Sequence, residues 1–302
     1  MKFGVLGFRY NNFGHFEDQL QRCGYYTVNL GDNTQSIAAR HIYRELGISD
    51  DEVILINRDA LPNYQDERAV LIMNGVFLDW CFPIPPSIIP LFIGFQAKED
   101  VIKGNIEFLK RHEPIGCRDS ATAFLLQANG VQAFTTGCIT LALPPRTNWP
   151  TKPKTLIVYG HGAGDFPSDI LKHLPATIAD TVEFIFHRLA VNTFPLSAED
   201  CLLAERYETD LLRKYEEATL VLTPLHHVAA PCLAKGIPTI ICRRQMDVRF
   251  SFLEELLPIY TPENFHLVDW NPTAVNVNNI REKLIQTVRS QIDMALTEGL
   301  RH

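Results

Sequence analysis

The sequence predicts an α/β protein built from two halves, each with a parallel sheet flanked by helices. Short runs rich in β-branched residues alternate with helical patterns along the 302 residues, an arrangement typical of parallel sheets. One stretch, LPPRTNWPTKP (residues 143–153), carries four prolines. Because proline continues neither a helix nor a central strand, we expect a linker there. The two predicted domains therefore cover residues 1–147 and 154–302, and the final helix is expected either on its own domain or crossing back to the first.

In the first half, strands are predicted at KFGVLGF, EVILI and AVLIM. The stretch NTQSIAARHIYREL predicts a helix closed by Gly47, and SATAFLLQAN predicts a second helix. That second helix has Asp119 at its N-cap and Gly130 just past its end, where glycine readily takes the left-handed conformation.

In the second half, strands are predicted at TLIVY, TVEFIF, ATLVLT, PTIIC and NFHLVDW. Ser197 and Asp200 have capping-box spacing at the head of a long helix that runs to Glu217. A final helix is predicted from apolar residues that recur every four positions, namely Ile280, Leu284, Val288 and Ile292.

Composition argues against several classes of partner and site. The chain carries 28 basic and 35 acidic residues, a net charge of −7, so no basic surface favours nucleic acid as a partner. Its seven cysteines are scattered without a CxxC pair, which argues against a zinc site or a disulfide framework. No window approaches about 18 uninterrupted apolar residues, and MKFGVLGF does not have the pattern of a signal peptide. We expect a cytoplasmic protein, with contact to a membrane surface left open.

Polar residues at the ends of predicted strands are candidates for a site, because ligands of open parallel sheets lie beyond the carboxyl ends of the strands. The stretch NLGDNTQS places Gly31, Asp32 and Asn33 at the start of a helix. Gly31 would allow a tight turn, and the free N–H groups of the helix would hold a phosphate or a sugar hydroxyl. The alternative is that Asp32 or Asn33 only caps the helix. There is no GxGxxG fingerprint, so a dinucleotide site is not predicted.

Three further junctions carry candidate ligand-binding groups. Arg118 lies at the strand end in IGCRDSAT. There it would form a bidentate hydrogen bond to a phosphate or carboxylate of a ligand, or a salt bridge within the protein. Asn74 and the glycine after it follow the strand AVLIM. The loop YGHGAGDF offers His161 and Asp165 to a ligand, or serves as a hinge.

Two adjacent histidines, His226 and His227, follow the strand ATLVLT at the N-terminus of a short helix. Pro224 is expected to force the turn, and Pro231 is expected in the first turn of the helix, where its missing N–H costs little. Histidine exchanges protons near neutral pH. Because adjacent helix positions point in different directions, at most one of the two is expected to face a given ligand. A purely structural role is the alternative.

Several of these stretches together resemble the polysaccharide pyruvyl transferase family. The resemblance is carried by NLGDNTQSIAA, MNGVF, GCRDSATAFLLQANG and TGCITLALP in the first half. In the second half it is carried by YEEATLVLTPLHHVAAPCLAKGIPTII, and DWNP fits the end of the pattern. The match runs in order along nearly the whole chain, and its Gly-x-Arg-Asp and Pro-Cys-Leu-Ala elements are fairly specific. On this resemblance the chain is identified as a member of that family.

The resemblance implies a glycosyltransferase-B-like fold, in which two Rossmann-like domains face each other across a cleft. It also implies that phosphoenolpyruvate donates pyruvate to two hydroxyls of one sugar, forming a cyclic ketal and releasing phosphate without a metal or other cofactor. The acceptor would belong to a cell-surface polysaccharide precursor carried on a lipid or a nucleotide. A lipid carrier would bring the protein into peripheral contact with a membrane.

Matched position by position, the resemblance assigns the role of general acid and base to His227 and donor binding to Arg118. The loop at residues 31–33 and Asn74 would contribute to the substrate cleft. The second donor arginine of the family falls on Leu225, which carries no charge. Losing a phosphate-binding guanidinium typically removes about 1.5–3 kcal/mol of binding free energy.

Four residues are candidates to replace that charge. His226 would do so as an imidazolium, Arg243 and its neighbour Arg244 would reach in from beyond the strand PTIIC, and Arg249 lies where the family tends to carry an arginine. If none compensates, we expect a different donor or a loss of activity. Two other interpretations therefore stay open: a nucleotide-sugar-dependent glycosyltransferase of the same fold, and a non-catalytic relative that binds a saccharide or a partner enzyme.

Overall fold

The computed structural model describes residues 1–299, and two parallel sheets organise them. The strands are β1 (Lys2–Gly7), β2 (Tyr26–Asn29), β3 (Val53–Asn57), β4 (Ala69–Phe77), β5 (Ile88–Ala97), β6 (Ile115–Cys117), β7 (Ala133–Thr135), β8 (Thr155–Tyr159), β9 (Val182–Phe186), β10 (Arg188–Val191), β11 (Leu220–Thr223), β12 (Thr239–Cys242) and β13 (Ile259–Tyr260). The first sheet has the order β3-β1-β4-β5-β6-β7, and the second has the order β13-β12-β11-β8-β9. Every pairing within these two sheets is parallel.

Helices flank both sheets. They are α1 (Gly14–Cys23), α2 (Gly31–Glu45), α3 (Glu99–Gly104), α4 (Ile106–Arg111), α5 (Ser120–Ala128), α6 (Ala176–Ala179), α7 (Ala198–Glu216), α8 (His226–Ala234), α9 (Ser251–Glu254) and α10 (Asn278–Gly299). The predicted α/β class with parallel sheets is confirmed, and it is consistent with a Rossmann-like fold. Nearly every residue of β4 is buried, because helices cover both faces of a central strand in a parallel sheet.

The predicted helix caps are confirmed. The side chain of Asp119 accepts a hydrogen bond from the backbone N–H of Thr122 at 2.8 Å, which satisfies one of the free donors at the start of α5. Ser197 and Asp200 form a reciprocal capping box at the start of α7. These short polar side chains fix where each helix begins.

A short antiparallel pair joins the two halves of the chain. Strand β10 follows β9 after one residue and pairs with β2, so that Val191 lies opposite Tyr26 and Arg188 lies opposite Asn29. A single apolar core also includes residues from both sheets, among them Val5, Ile93, Val158 and Val221. The strands of the first sheet end at Thr135 and those of the second begin at Thr155. The division into two separate domains stays a prediction.

The final helix, α10, crosses back to the first half. It packs against β5 and against the 3-10 turn Ile139–Ala142, with Leu284, Val288 and Ile292 buried. Arg281 anchors its start, donating from Nε to the carbonyl of Leu143 at 2.9 Å and from Nη2 to the carbonyl of Ala234 at 2.5 Å.

One predicted strand is wrong. The stretch NFHLVDW forms a 3-10 turn at Phe265–Leu267, and the edge place on the second sheet is taken by β13. Phe265 is 2% exposed whereas Leu267 is 66% exposed, so residues two positions apart do not share one buried face as a strand would require. A turn in which Asn264 Oδ1 accepts from the N–H of Thr261 at 2.7 Å precedes this segment.

Over residues 1–299, no helix is both long and apolar enough to cross a membrane. All seven cysteines are free thiols.

The docking of α10 gives a first prediction. Leu284→Ala should lower the free energy of unfolding by about 2–5 kcal/mol, because it leaves a cavity in the shared core. Met294→Ala, on the exposed side of the same helix, is the matched control and should change it by no more than about 0.5 kcal/mol. Urea unfolding measures both, and equal losses in the two variants would contradict the docking described here.

Candidate functional site

The predicted site residues meet where the N-terminus of α2 touches the N-terminus of α8. Gly31 is the first residue of α2 and His227 is the second residue of α8. A Cβ added to Gly31 would lie 2.7 Å from Cδ2 of His227 and closer still to its Cβ and Cγ. Glycine is therefore needed at position 31 for close approach to the imidazole, and not for a tight turn as the sequence suggested.

The start of α2 is not capped by Asp32 or Asn33. The side chain of Asn29 instead accepts from the N–H of Gly31 at 3.1 Å. Asn33 donates its backbone N–H to the carbonyl of Leu30, and Asp32 turns its carboxylate to the hydroxyl of Tyr10 at 3.0 Å. Asp32 is thus held by a side chain from beyond β1.

His227 is half-buried, with Nδ1 buried and unpartnered. Nε2 is therefore the nitrogen through which this ring can meet a ligand. Burial lowers the pKa of His227 well below its usual range, and the neighbouring Arg118, His187 and Arg249 lower it further. The imidazole is neutral at neutral pH in the ligand-free protein, because both causes disfavour the charged form.

His226 lies deeper than His227. It is 7% exposed, and its ring packs edge-on against Phe250 at a centroid distance of 5.3 Å. Burial, followed by the charge of Arg118, lowers its pKa well below the usual range. A neutral ring does not supply the positive charge that the resemblance expects near Leu225.

The same helix corrects the prediction for Pro231. Because α8 begins at His226, this proline is the sixth helical residue and not part of the first turn. It leaves the carbonyl of His227 without the usual hydrogen bond from four residues ahead.

Arg118 is the most deeply buried cation of the site. It follows β6, is 2% exposed, and forms no salt bridge with any carboxylate in residues 1–299. Its Nε and Nη1 are buried without a hydrogen-bond partner. Burial lowers its pKa, partly offset by Cys138 and Asp119. The expected alternative, a salt bridge within the protein, is therefore not what the structure has.

Arg243 and Arg249 share one carboxylate, that of Asp247. Arg249 donates to it from Nε at 2.9 Å and also from Nη2, and this hydrogen bonding lowers the pKa of Asp247 to about 2. Arg243 lies 3.6 Å from the same carboxylate, is itself buried, and donates to the carbonyl of Pro224. Arg243 is held as a structural cation, whereas half-buried Arg249 is close enough to depress the pKa of both histidines.

Asn74 does not follow a strand, as the sequence suggested, but lies inside β4 at an irregularity in the pairing with β5. The next residue, Gly75, has φ +82°, a conformation that favours glycine. Asn74 donates to the side chain of Gln35 at 3.4 Å, and its Oδ1 is buried without a partner. At this irregularity the side-chain amide of Asn74 therefore faces Gln35 of α2.

The residue that the resemblance matches to an arginine, Leu225, packs against the glycine loop of the second half. A Cβ added to Gly164 would overlap its Cδ2, and one added to Gly160 would lie 3.6 Å away. The neighbouring His161 hydrogen-bonds Thr27 on β2 at 2.7 Å. The loop is thus filled by Leu225 and tied to the first half by His161.

Sequence reasoning missed a buried group beside the site. His187, between β9 and β10, hydrogen-bonds Glu208 of α7 at 2.8 Å through Nε2, and Thr34 of α2 donates to the same carboxylate. All three are buried. The available signal was the rule used above, since His187 directly follows the predicted strand TVEFIF.

The contact between α2 and α8 gives a second prediction. Gly31→Ala should lower the free energy of unfolding by about 1–3 kcal/mol, because the new methyl group overlaps the ring of His227. Gly14→Ala is the matched control, since a Cβ there meets nothing within 4 Å, and it should be neutral or stabilising by up to about 1 kcal/mol. Thermal unfolding compares the two, and an equally tolerated Gly31→Ala would refute the close approach.

Comparison with known proteins adds a structural likeness only. No protein-family model matches the chain, and no curated protein matches it by sequence. Among solved structures, the chain is similar to a functionally uncharacterised protein from Klebsiella pneumoniae, with 12% sequence identity and a TM-score of 0.45. The likeness covers 83% of this chain and 88% of that one.

Proposed function

We propose that the protein is a phosphoenolpyruvate-dependent pyruvyl transferase that forms a pyruvate ketal on a sugar of a cell-surface polysaccharide precursor. The observation that carries the proposal is Arg118, a buried guanidinium with two unpartnered nitrogens next to a helix N-terminus that bears His227. Keeping a cation buried without an internal partner is unfavourable. An anionic ligand that binds there would remove that penalty.

In this proposal the two sheets belong to two Rossmann-like domains in a glycosyltransferase-B-like arrangement. The substrates would lie between the carboxyl ends of β6 and β11, where Arg118 and His227 come together. The acceptor would be carried on a lipid or a nucleotide, and the reaction would take place in the cytoplasm. The charges available on the donor side fit a ligand with both a phosphate and a carboxylate.

Arg249 is the side chain that best replaces the charge missing at Leu225. Its charge reaches Arg118 and both histidines. Its Nη1 has no hydrogen-bond partner within residues 1–299, although Nε and Nη2 are occupied by Asp247. Arg118 and Arg249 would therefore bind the two anionic groups of the donor from different elements, as charge-assisted hydrogen bonds favour.

His227 would supply the proton that the methylene carbon of the donor takes up. The ring is neutral before the donor binds, because burial and nearby cations lower its pKa. A bound phosphate and carboxylate would offset those cations and raise the pKa of His227. Binding of the donor would thus favour protonation of His227, the acid that then protonates the donor.

Binding of the donor is the first test. Titration calorimetry with phosphoenolpyruvate should show micromolar to sub-millimolar affinity in the wild type and a loss of about 10- to 100-fold in Arg118→Ala, as expected for removing a hydrogen-bonded charge. Arg146→Ala is the matched control, because that arginine is also buried but donates to the carbonyl of Ala218 away from the site. No binding by folded wild-type protein would overturn the proposal.

Proton uptake is a second, independent test. At pH 7, where the donor phosphate is mostly ionised, binding should take up protons because the pKa of His227 rises on binding. The enthalpy measured in HEPES and in Tris should then differ in proportion to the ionisation enthalpies of the two buffers. His227→Gln should bind without this difference. Equal enthalpies in both buffers for the wild type would contradict the proposed role of His227.

A further inference from the structure

The proposed reaction leaves one requirement without a residue. Each sugar hydroxyl that attacks the donor must lose a proton, and His227 is already assigned to the proton that the methylene carbon gains. If the protein has the proposed function, a further side chain must remove the hydroxyl proton. A candidate must be an acceptor, must lie beside the donor site and must have an unoccupied oxygen or nitrogen.

Asp32 meets these conditions. It follows Gly31, whose Cα is in contact with the ring of His227, and its charge and that of Arg118 act on each other's pKa. Oδ2 accepts from the hydroxyl of Tyr10 at 3.0 Å. Oδ1 has no hydrogen-bond partner in the part of the chain that the structure describes. One oxygen is therefore held in place while the other is available.

The side chains around Asp32 come from residues that follow three different strands of the first sheet. Tyr10 follows β1, Arg58 follows β3, and Arg118 follows β6. Tyr10 is fixed by its own backbone N–H, which donates to Asp59 at 2.9 Å. The carboxylate is thus placed by several elements of a rigid sheet, which is the kind of support that a catalytic group requires.

We propose that Asp32 is the general base that takes the proton from the attacking hydroxyl of the saccharide acceptor, and that Tyr10 positions it. As the hydroxyl oxygen forms its bond to C2 of phosphoenolpyruvate, the hydroxyl proton moves to Oδ1 of Asp32. The electron pair of the C2–C3 double bond takes the proton of His227 and makes the methyl group. The second hydroxyl then bonds to C2 as the C2–O bond to phosphate breaks, and phosphate leaves with that electron pair. Of the two hydroxyl protons, one balances the proton gained by C3 and the other is released to phosphate or solvent.

The charges around Asp32 suit a base that acts near neutral pH. Burial raises its pKa, and Asp59 acts in the same direction, whereas Arg58, the hydrogen bond from Tyr10 and Arg118 oppose the rise. Arg188 of β10, held by Thr27, is a further cation whose own pKa responds to Asp32. A carboxylate with a raised pKa is a stronger base than an exposed one, while the surrounding cations keep it ionised.

Two variants separate a catalytic from a structural role. Asp32→Asn should keep donor binding by calorimetry but release phosphate about 100-fold or more slowly, the usual contribution of a general base. Tyr10→Phe should remain active and move the acidic limb of the pH–rate profile upward by about one pH unit. The sign follows because the lost hydrogen bond stabilised the charged form, so the pKa of Asp32 rises and activity is lost at a higher pH as the solution is acidified. Tyr64→Phe, whose hydroxyl donates to the carbonyl of Glu67, is the matched control and should leave the profile unchanged.

Phosphate release from phosphoenolpyruvate is measured with methyl β-galactopyranoside as the acceptor probe, and with water alone as the second acceptor. Near-wild-type turnover by Asp32→Asn, or an unmoved acidic limb in Tyr10→Phe, would overturn this inference and leave the proposed function intact. Wild-type protein that fails to bind phosphoenolpyruvate, or that binds it and releases no phosphate with either acceptor, would overturn the proposed function and this inference with it.

Discussion

The contact between Gly31 and His227 is the constraint on which the site depends. It brings the start of α2, from the first half of the chain, against the start of α8, from the second half. The approach is so close that only a residue without a Cβ fits at position 31. Once these two helix ends touch, Thr34 donates to Glu208, which also hydrogen-bonds His187, and Asp32 lies within electrostatic reach of Arg118. The site is therefore a product of how the two sheets pack together, and neither half carries it alone.

Electrostatics in this region follow from burial more than from pairing. Arg118 forms no salt bridge within residues 1–299, burial followed by the charge of Arg118 lowers the pKa of both histidines, and burial raises the pKa of Asp32 although Arg118 opposes that rise. Such an arrangement is unfavourable for folding, yet it leaves polar atoms of the charged and proton-exchanging groups without hydrogen-bond partners inside the protein. That combination of poor internal pairing and high burial is typical of a site that a ligand completes.

Much of the fold could be predicted because its strands are buried runs with strong local signals, and because the caps at Asp119 and Ser197 are short-range. What escaped prediction depends on distant parts of the chain. The pairing of β2 with β10 joins segments more than 150 residues apart, and β5 was hidden by the proline and the glycine within IIPLFIGFQA. For the site, Arg118, His227 and Asp32 were named from strand ends. The position of His187 after a predicted strand was a usable signal, but its contact and that of Gly31 could not be inferred, since His187 meets a carboxylate on another helix and Gly31 meets the ring of His227.

The strand that passes from β9 through His187 into β10 also limits how this protein can move. Because its first part belongs to the second sheet and its last part is hydrogen-bonded to β2, the halves cannot swing apart as rigid bodies without breaking a backbone ladder and opening a shared core. Under the proposed function, substrates would therefore enter and products would leave through local rearrangement. The glycine loop that carries Gly160 and Gly164 packs against Leu225 at the start of α8, and under the proposed function access to the site would be controlled there and not by a wide hinge.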